Sequence, residues 1–251
     1  MALSPLFVGS NFIELPEVDS TNTYLKDLIS QKKLPEGTCV AAVAQTSGRG
    51  QAGNSWLSEP GKNITLSILL NPVFLDAPKQ FYLSMAMALA VKDFCESQVD
   101  DEVKIKWPND IFWNDNKLGG LLIENTISGS KIVSSVVGIG LNVNQVTFPE
   151  DSGRPVSLAN VSGRSYILKE LYQTLFAYIE KYYLQLRQQH FNFLDKAYMV
   201  SMYRYQQTHD FRKGKQLIRG EIAGVTKDGR LILQSGEKEY KFNFKEVEFI
   251  Y

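Results

Sequence analysis

Two predicted strands joined by a glycine-rich loop, with no helix between them, narrow the choice of folds for this sequence more than any other feature. Val40 to Gln45 is apolar and partly β-branched, as a buried strand is, and Asn63 to Leu70 indicates a second strand. The loop between them contains Gly48, Arg49 and Gly50. Small residues let backbone approach an anion closely, and an arginine fork holds phosphate or carboxylate through two hydrogen bonds. The loop therefore suits an anionic ligand, although a structural turn without a ligand would also explain it.

The same loop has the glycine spacing of a dinucleotide-binding motif, but it lacks the context of that motif. Gly48, Gly50 and Gly53 match GxGxxG, which binds pyrophosphate where a helix follows directly. Pro60 and Gly61 instead predict a turn before the next strand. The motif therefore does not support a Rossmann fold.

Composition excludes several classes of protein. The 251 residues suit one medium domain with a small appendage, and 27 basic against 27 acidic side chains create no global field for nucleic acid. Cys39 and Cys95 lie in apolar surroundings, which indicates reduced thiols in a cytoplasmic protein. His190 and His209 are too few to form a metal site. Residues 1–12 lack the features of a secretion signal, and no segment has the ~20 apolar residues of a membrane span.

Three polar side chains mark the predicted start of the first helix, namely Ser20, Thr21 and Asn22. Capping of the helix explains one or two of them. A socket for a polar ligand is the second interpretation.

A run of short strands with tight polar turns extends from Val103 to Val143. Glycines inside strands weaken a sheet unless something must approach the backbone closely. This run contains Gly119, Gly120, Gly138 and Gly140, which we interpret as the floor of a pocket. Bulges or tight crossings are the alternative.

The remaining segments predict helices and a small β-domain. Ala77 to Ser97 and Ile167 to Tyr203 show helical periodicity. The tail alternates polar and apolar residues and has strong turn signals, which predicts a small all-β barrel. We therefore predict an α+β body over residues 1–208 and a β-domain over residues 209–251.

The polar residues of these segments indicate polyphosphate chemistry. Arg49, Lys106 and Lys117 supply positive charge, with Asn109 and the acid Asp110 beside them. Three cations with few bases suit a reaction in which positioning and charge neutralisation dominate. The sequence contains no GxxxxGK[ST] motif, so it is not a P-loop enzyme.

Four motifs resemble those of biotin–protein ligases, the biotin–[acetyl-CoA-carboxylase] synthetase family. They are VDSTNTYL, AQTSGRGQAGNSW, KWPNDIFWNDNKLGGLLIEN and GIGLNVN, within residues 18–144. The resemblance implies a mixed sheet with helices like that of class II aminoacyl-tRNA synthetases, and an SH3-like C-terminal barrel. It implies an ATP-dependent ligase that converts biotin to biotinyl-5′-AMP and transfers biotin to a lysine of a biotin carboxyl carrier protein. Mg²⁺ would bridge the phosphates without a dedicated protein site.

The resemblance also assigns the site residues. Biotin contacts fall on Ser20, Thr21, Asn22, Gln45, Arg49, Gly50, Gln51, Lys117, Gly119 and Gly138. Contacts to ATP or the adenylate fall on Arg49, Trp56, Asn109, Asp110, Lys117 and Asn142. Catalytic roles fall on Arg49, Lys106, Asp110 and Lys117. Lys117 would offset charge that builds on phosphorus, and Asp110 would help deprotonate the incoming lysine.

Two departures from the family pattern matter. Gln51 stands where members often carry an arginine, so we expect a weaker grip on anions and faster escape of the adenylate. The first motif begins at Val18, so we expect neither a helix-turn-helix domain nor a nucleic-acid partner. A lipoate–protein ligase and a biotin-responsive DNA-binding regulator are the alternatives. No membrane partner is expected, and pairing of sheet edges offers a route to a homodimer.

Overall fold

A large mixed sheet forms the body of the protein in the computed structural model, which describes residues 4–150 and 152–251. Its strands are β1 (Phe12–Val18), β2 (Cys39–Gln45), β3 (Ile64–Leu70), β4 (Lys104–Lys106), β5 (Asp110–Trp113), β6 (Asn116–Ser128) and β7 (Lys131–Leu141). Their order is β1-β2-β3-β7-β6-β5-β4. β1 and β2 run parallel, and all other neighbours in this sheet are antiparallel. The predicted α+β class is confirmed.

Helices cover both faces of this sheet. They are α1 (Thr21–Gln31), α2 (Phe81–Val99), α3 (Leu158–Ser162), α4 (Leu168–Arg187) and α5 (Phe191–Ser201). Leu25 of α1 packs with Val40, Leu69 and Val136 on one face. The larger core, with α2 and α4, lies on the other face. Because strand side chains alternate between faces, the same strands supply both cores.

The helical pattern predicted over Ile167 to Tyr203 is interrupted. Gln189, between α4 and α5, has a φ of 56°. A left-handed residue cannot continue a right-handed helix, so the chain turns there and α5 begins at Phe191. Residues 77–79 form a separate 3₁₀ turn before α2, and the short helix α3 was not predicted.

The tail forms a second, fully antiparallel sheet. Its strands are β8 (Thr208–Lys213), β9 (Gln216–Val225), β10 (Leu231–Ser235), β11 (Lys238–Phe242) and β12 (Glu248–Phe249), in the order β11-β10-β9-β8-β12. An all-β C-terminal unit is therefore confirmed, whereas its SH3-like character and the boundary at residues 208 and 209 stay predictions.

Three further predictions concern the chain as a whole. Cys39 and Cys95 are buried free thiols. Among the described residues, no helix has the length and apolar character to cross a membrane. The expectation about a secretion signal falls partly on residues 1–3, which lie outside the described residues.

Candidate functional site

Glycines on one face of the large sheet form the floor of a cavity. Gly138 of β7 lies between Ser67 of β3 and Leu122 of β6 in the strand register. Gly140 likewise lies opposite Gly120. A Cβ added at Gly138 would be 2.4 Å from the Asn22 side-chain oxygen, a distance that real side chains do not tolerate. Gly138 thus makes room for the Asn22 side chain, and because Gly120, Gly138 and Gly140 all line the cavity, the pocket-floor interpretation is favoured.

The cavity above this floor collects most of the predicted site residues. It is lined by Ser20, Thr21, Asn22, Gln45, Arg49, Gly50, Gln51, Trp56, Asn109, Asp110, Lys117 and Gly138. These residues come from the start of α1, the end of β2, the glycine-rich loop and strands β5 to β7. Segments that are distant in sequence thus meet at one place.

Three predicted residues do not line this cavity. Gly119 is paired with Leu141, on the face of β6 opposite to the floor, so Gly120 takes the position expected for Gly119. Lys106 lies in a neighbouring cavity that it shares with Asp110. Asn142 lies in another adjoining cavity, and its side-chain amide donates to the carbonyl oxygens of Lys117 and Val156, at 3.3 and 3.1 Å.

One end of the cavity is a buried polar socket. The backbone N–H and hydroxyl of Thr21 donate to Gln45 Oε1, at 2.9 and 3.1 Å. Ser67 Oγ donates to Asn22 Oδ1 at 2.6 Å. Ser20 occupies the N-cap of α1, yet its side chain makes no capping hydrogen bond. Capping therefore does not account for this polar group, which favours the ligand-socket interpretation.

The other end carries positive charge. Lys117 Nζ lies 2.7 Å from Asp110 Oδ1 and 5.8 Å from the centroid of the Trp56 ring. This ammonium group also lies directly above the floor, 3.4 Å from a Cβ placed on Gly120. A phosphate bound at this end would contact the Lys117 ammonium group, whose charge is balanced by the neighbouring carboxylate of Asp110. The arrangement suits an anion that develops or shifts charge during a reaction.

Glu124 holds the arginine of the glycine-rich loop at the cavity. Its Oε1 is 3.1 Å from Arg49 Nη2 and 3.0 Å from Lys26 Nζ. Asn22 Nδ2 donates to its Oε2 at 2.9 Å. Burial raises the pKa of Glu124, but hydrogen bonds from Lys26 and Asn22 and the charge of Arg49 outweigh burial, so this pKa lies below its ordinary value. Glu124 thus joins the loop to helix α1.

Two buried polar atoms of the cavity have no hydrogen-bond partner among residues 4–150 and 152–251. They are Gln51 Oε1 and Trp56 Nε1. Buried polar groups in proteins are almost always hydrogen-bonded, and exceptions need an explanation. A polar ligand that accepts a hydrogen bond from the Trp56 indole and donates one to the Gln51 amide oxygen would explain both atoms.

The sequence did not predict several residues of the site, among them Ser67, Glu124 and Phe244. Ser67 lies in a strand that is apolar apart from Thr65, and Glu124 ends the apolar run of β6, so both carried a weak signal. Phe244 lines the cavity from the turn between β11 and β12 of the C-terminal sheet. Nothing in its local sequence indicates this, because the contact depends on how the two sheets pack.

The fold and cavity define an α+β protein with one cavity that is polar at one end and carries an ammonium group at the other. The chain belongs to the Biotin/lipoate A/B protein ligase family, whose model matches residues 15–142. The match covers the floor strands, the glycine-rich loop and both ends of the cavity.

Individual relatives agree with this assignment. The bifunctional ligase/repressor BirA of Bacillus subtilis is 28% identical over 249 residues, which cover 96% of this chain and 74% of that protein. The BirA of Bacillus spizizenii is 34% identical over 70% of this chain, which spans only 54% of that relative. The structure of the Aquifex aeolicus biotin protein ligase in complex with biotin and ATP is similar, with a TM-score of 0.79 and 28% identity. That alignment covers 95% of this chain and 98% of the other.

Proposed function

We propose that this chain is an ATP-dependent ligase that activates biotin to biotinyl-5′-AMP and transfers biotin to a lysine of a biotin carboxyl carrier protein. The observation that carries the proposal is a single cavity with a polar socket at Thr21 and Asn22 and an ammonium group at Lys117. The complex of the Aquifex aeolicus relative with biotin and ATP supports the same pair of substrates.

In the proposed binding mode, biotin lies on the sheet with its ring in the socket. The ring lies beside the Asn22 side chain, which approaches the backbone of Gly138 in the same cavity. Its polar ureido end faces Ser20, Thr21 and Asn22. Its carboxylate then points towards Lys117, at the other end of the same cavity.

In the first step, a carboxylate oxygen of biotin attacks the α-phosphorus of ATP, and pyrophosphate leaves with the electron pair of the broken P–O bond. Lys117 neutralises charge on the phosphate oxygens as it builds, and Arg49 would add its charge after it exchanges Glu124 for a phosphate oxygen. Trp56 and Gln51 offer a donor and an acceptor that are buried and unpaired. The chain thereby supplies orientation and electrostatics and forms no covalent bond itself.

In the second step, the amine of the carrier lysine attacks the carbonyl carbon of the mixed anhydride. Asp110 accepts a proton from this amine, and AMP leaves as the amide forms. Asp110 lines the cavity and contacts Lys117 at 2.7 Å, so both steps share one pair of charges.

Magnesium fits this scheme as an ion that arrives with ATP. Within residues 4–150 and 152–251, no group of three or more His, Cys, Asp or Glu side chains could hold a metal ion. Mg²⁺ keeps several waters and binds through substrate phosphates and one or two carboxylates, so Asp110 is enough on the protein side. The ion supplies further charge neutralisation when bound.

Further parts of the proposal concern the whole chain. A cytoplasmic location is supported by the free thiols of Cys39 and Cys95. A division into a catalytic domain, 1–208, and a C-terminal domain, 209–251, is supported by the start of β8 at Thr208. Dimerisation would use the edge strand β1 of the large sheet, because Met202 already bridges to Ile105 at the outer edge of β4.

The proposal is tested by pyrophosphate exchange into ATP and by transfer to a carrier domain. Biotin should stimulate exchange, and a carrier domain should gain one biotinyl group by mass spectrometry. The same assays with lipoate serve as the comparison within the family. Pyrophosphate exchange that is stimulated by lipoate and not by biotin would instead indicate a lipoate–protein ligase.

A further inference from the structure

The ammonium group of Lys106 lies among three aromatic rings beside the main cavity. Its Nζ is 5.0 Å from the ring centroid of Phe112, 5.1 Å from that of Phe249 and 5.4 Å from that of Tyr251. Phe112 lies on the neighbouring strand β5, whereas Phe249 ends β12 of the C-terminal sheet and Tyr251 follows it. The faces of aromatic rings attract cations, most strongly where water is excluded. Two elements distant in sequence therefore enclose one ammonium group.

Several contacts fasten the segment 248–251 to the body. Arg204 donates from Nη1 to the carbonyl oxygen of Ile250 at 2.6 Å, and its side chain is only 8% exposed. The guanidinium carbons of Arg154 and Arg204 lie 4.6 and 5.1 Å from the centroid of the Tyr251 ring. The position of this ring is thus set by groups on more than one side.

Lys106 is one strand away from the reacting charges. It lies opposite Asp110 in the register of β4 and β5, and Asp110 contacts Lys117 at 2.7 Å. The cavity that Lys106 lines also contains Asn54, two acidic residues, Asp110 and Glu248, and a second ammonium group, that of Lys245. Asn54 and Asp110 line the main cavity as well. With the α-phosphate at Lys117, this neighbouring cavity is where the outer phosphates of ATP would lie.

We propose that Phe249 and Tyr251 are positioning residues for adenylation, which hold the Lys106 ammonium group against the pyrophosphate portion of ATP. This inference rests on the proposed function, because it requires ATP in the main cavity. The rings stabilise the positive charge without adding an anion that would compete with phosphate. Burial lowers the pKa of Lys106, the charge of Asp110 opposes this shift, and the charge of Arg204 adds to it. The faces of the three rings favour the charged form that phosphate needs.

The experiment measures biotin-dependent pyrophosphate exchange in the full chain. Tyr251→Leu should raise the KM for ATP and the inhibition constant of pyrophosphate by about tenfold, with the KM for biotin unchanged. Phe249→Leu should act in the same way, and Tyr251→Phe, which keeps the ring, should behave like the original chain. Tyr240→Leu is the matched control, because Lys238 lies 4.6 Å from that ring on β11, at the opposite edge of the sheet from β12.

A double-mutant cycle separates action through Lys106 from a general structural effect. In a Lys106→Met background, Tyr251→Leu should have no further effect on the KM for ATP. An unchanged KM for ATP in Tyr251→Leu, or the same loss in both backgrounds, would overturn the inference. If the original chain shows no biotin-dependent exchange, the proposed function fails instead, so the two failures are distinct.

Discussion

Lys117 is the residue on which the proposed chemistry depends most. Replacement by alanine should lower biotin-dependent pyrophosphate exchange by about 100-fold or more, because one preorganised cation at a charged transition state has effects of this size. The fold should survive, since the Lys117–Asp110 pair is partly exposed, with 35% and 25% of the side chains accessible. Pairs of this kind contribute about 1 kcal/mol or less to stability.

Lys131→Ala is the control for this variant. Lys131 also forms a close ion pair, 2.8 Å from Asp76 Oδ1, but it lies at the far end of β7 from the floor glycines. Exchange rates and urea unfolding of both variants check the prediction. Near-normal exchange in Lys117→Ala would remove this residue from its proposed role.

Gln51 should determine how long the adenylate stays bound. Its side chain lines the cavity, and its Oε1 is buried without a hydrogen bond. Gln51→Arg would add a cation next to the phosphate and should slow the release of biotinyl-AMP in the absence of carrier. Rapid separation of enzyme from released adenylate measures this rate, with Gln51→Met as the uncharged control. Equal release from Gln51→Arg and the original chain would contradict the expected role of the loop charge.

At the scale of single residues, the sequence predicted most of the residues that line the cavity but not Glu124, which binds two of them. Motif residues such as Asn22, Gln45 and Lys117 stood out because their polar side chains lie at strand or helix ends. Glu124 did not, because its role depends on Arg49 and Asn22, which approach it only after folding. Gly119 and Gly120 could not be told apart, because a bulge in the β5–β6 pairing sets which one faces the cavity.

Among the elements, Glu124 connects α1, β6 and the glycine-rich loop, and this connection should depend on pH. Its pKa is lowered in the folded protein, so the unfolded chain binds a proton more readily. The stabilisation is therefore present above pH 4.5, the ordinary value, and is lost as the pH falls through the lower pKa of the folded state. Glu124→Gln should reduce the acid-induced loss of unfolding free energy.

Urea unfolding at low ionic strength, measured from neutral pH to below pH 4.5, checks this dependence. Glu237→Gln, at the exposed turn between β10 and β11, is the control and should leave the pH profile unchanged. If Glu124→Gln shows the same acid sensitivity as the original chain, the three-way contact contributes nothing in solution.

The positions of helices and strands were predicted from hydrophobic periodicity wherever the pattern lies within a single element. The strands that flank the glycine-rich loop were predicted within a residue at their starts, because alternation and apolar runs mark buried strands. The break between α4 and α5 was not predicted, because apolar spacing continues across it while Gln189 adopts a left-handed conformation. β12, with two residues, is too short to leave a pattern.

At the scale of the whole molecule, the site is completed by the packing of the two sheets. Trp107 Nε1 donates to the carbonyl oxygen of Gly229 at 2.8 Å, and its ring lies 6.3 Å from that of Phe244. Phe244 in turn lines the cavity. Local sequence patterns carry no information about this packing. The C-terminal β-unit was therefore predicted, but the position of Phe244 in the cavity wall was not.

The most direct test is a crystal structure with biotin and a non-hydrolysable ATP analogue bound together. The bicyclic ring should lie in the cavity beside Asn22, with polar atoms about 3 Å from Thr21 or Asn22, and the α-phosphate should lie at hydrogen-bond distance from Lys117 Nζ. Biotin and nucleotide in separate cavities, or a phosphate remote from Lys117, would contradict the account.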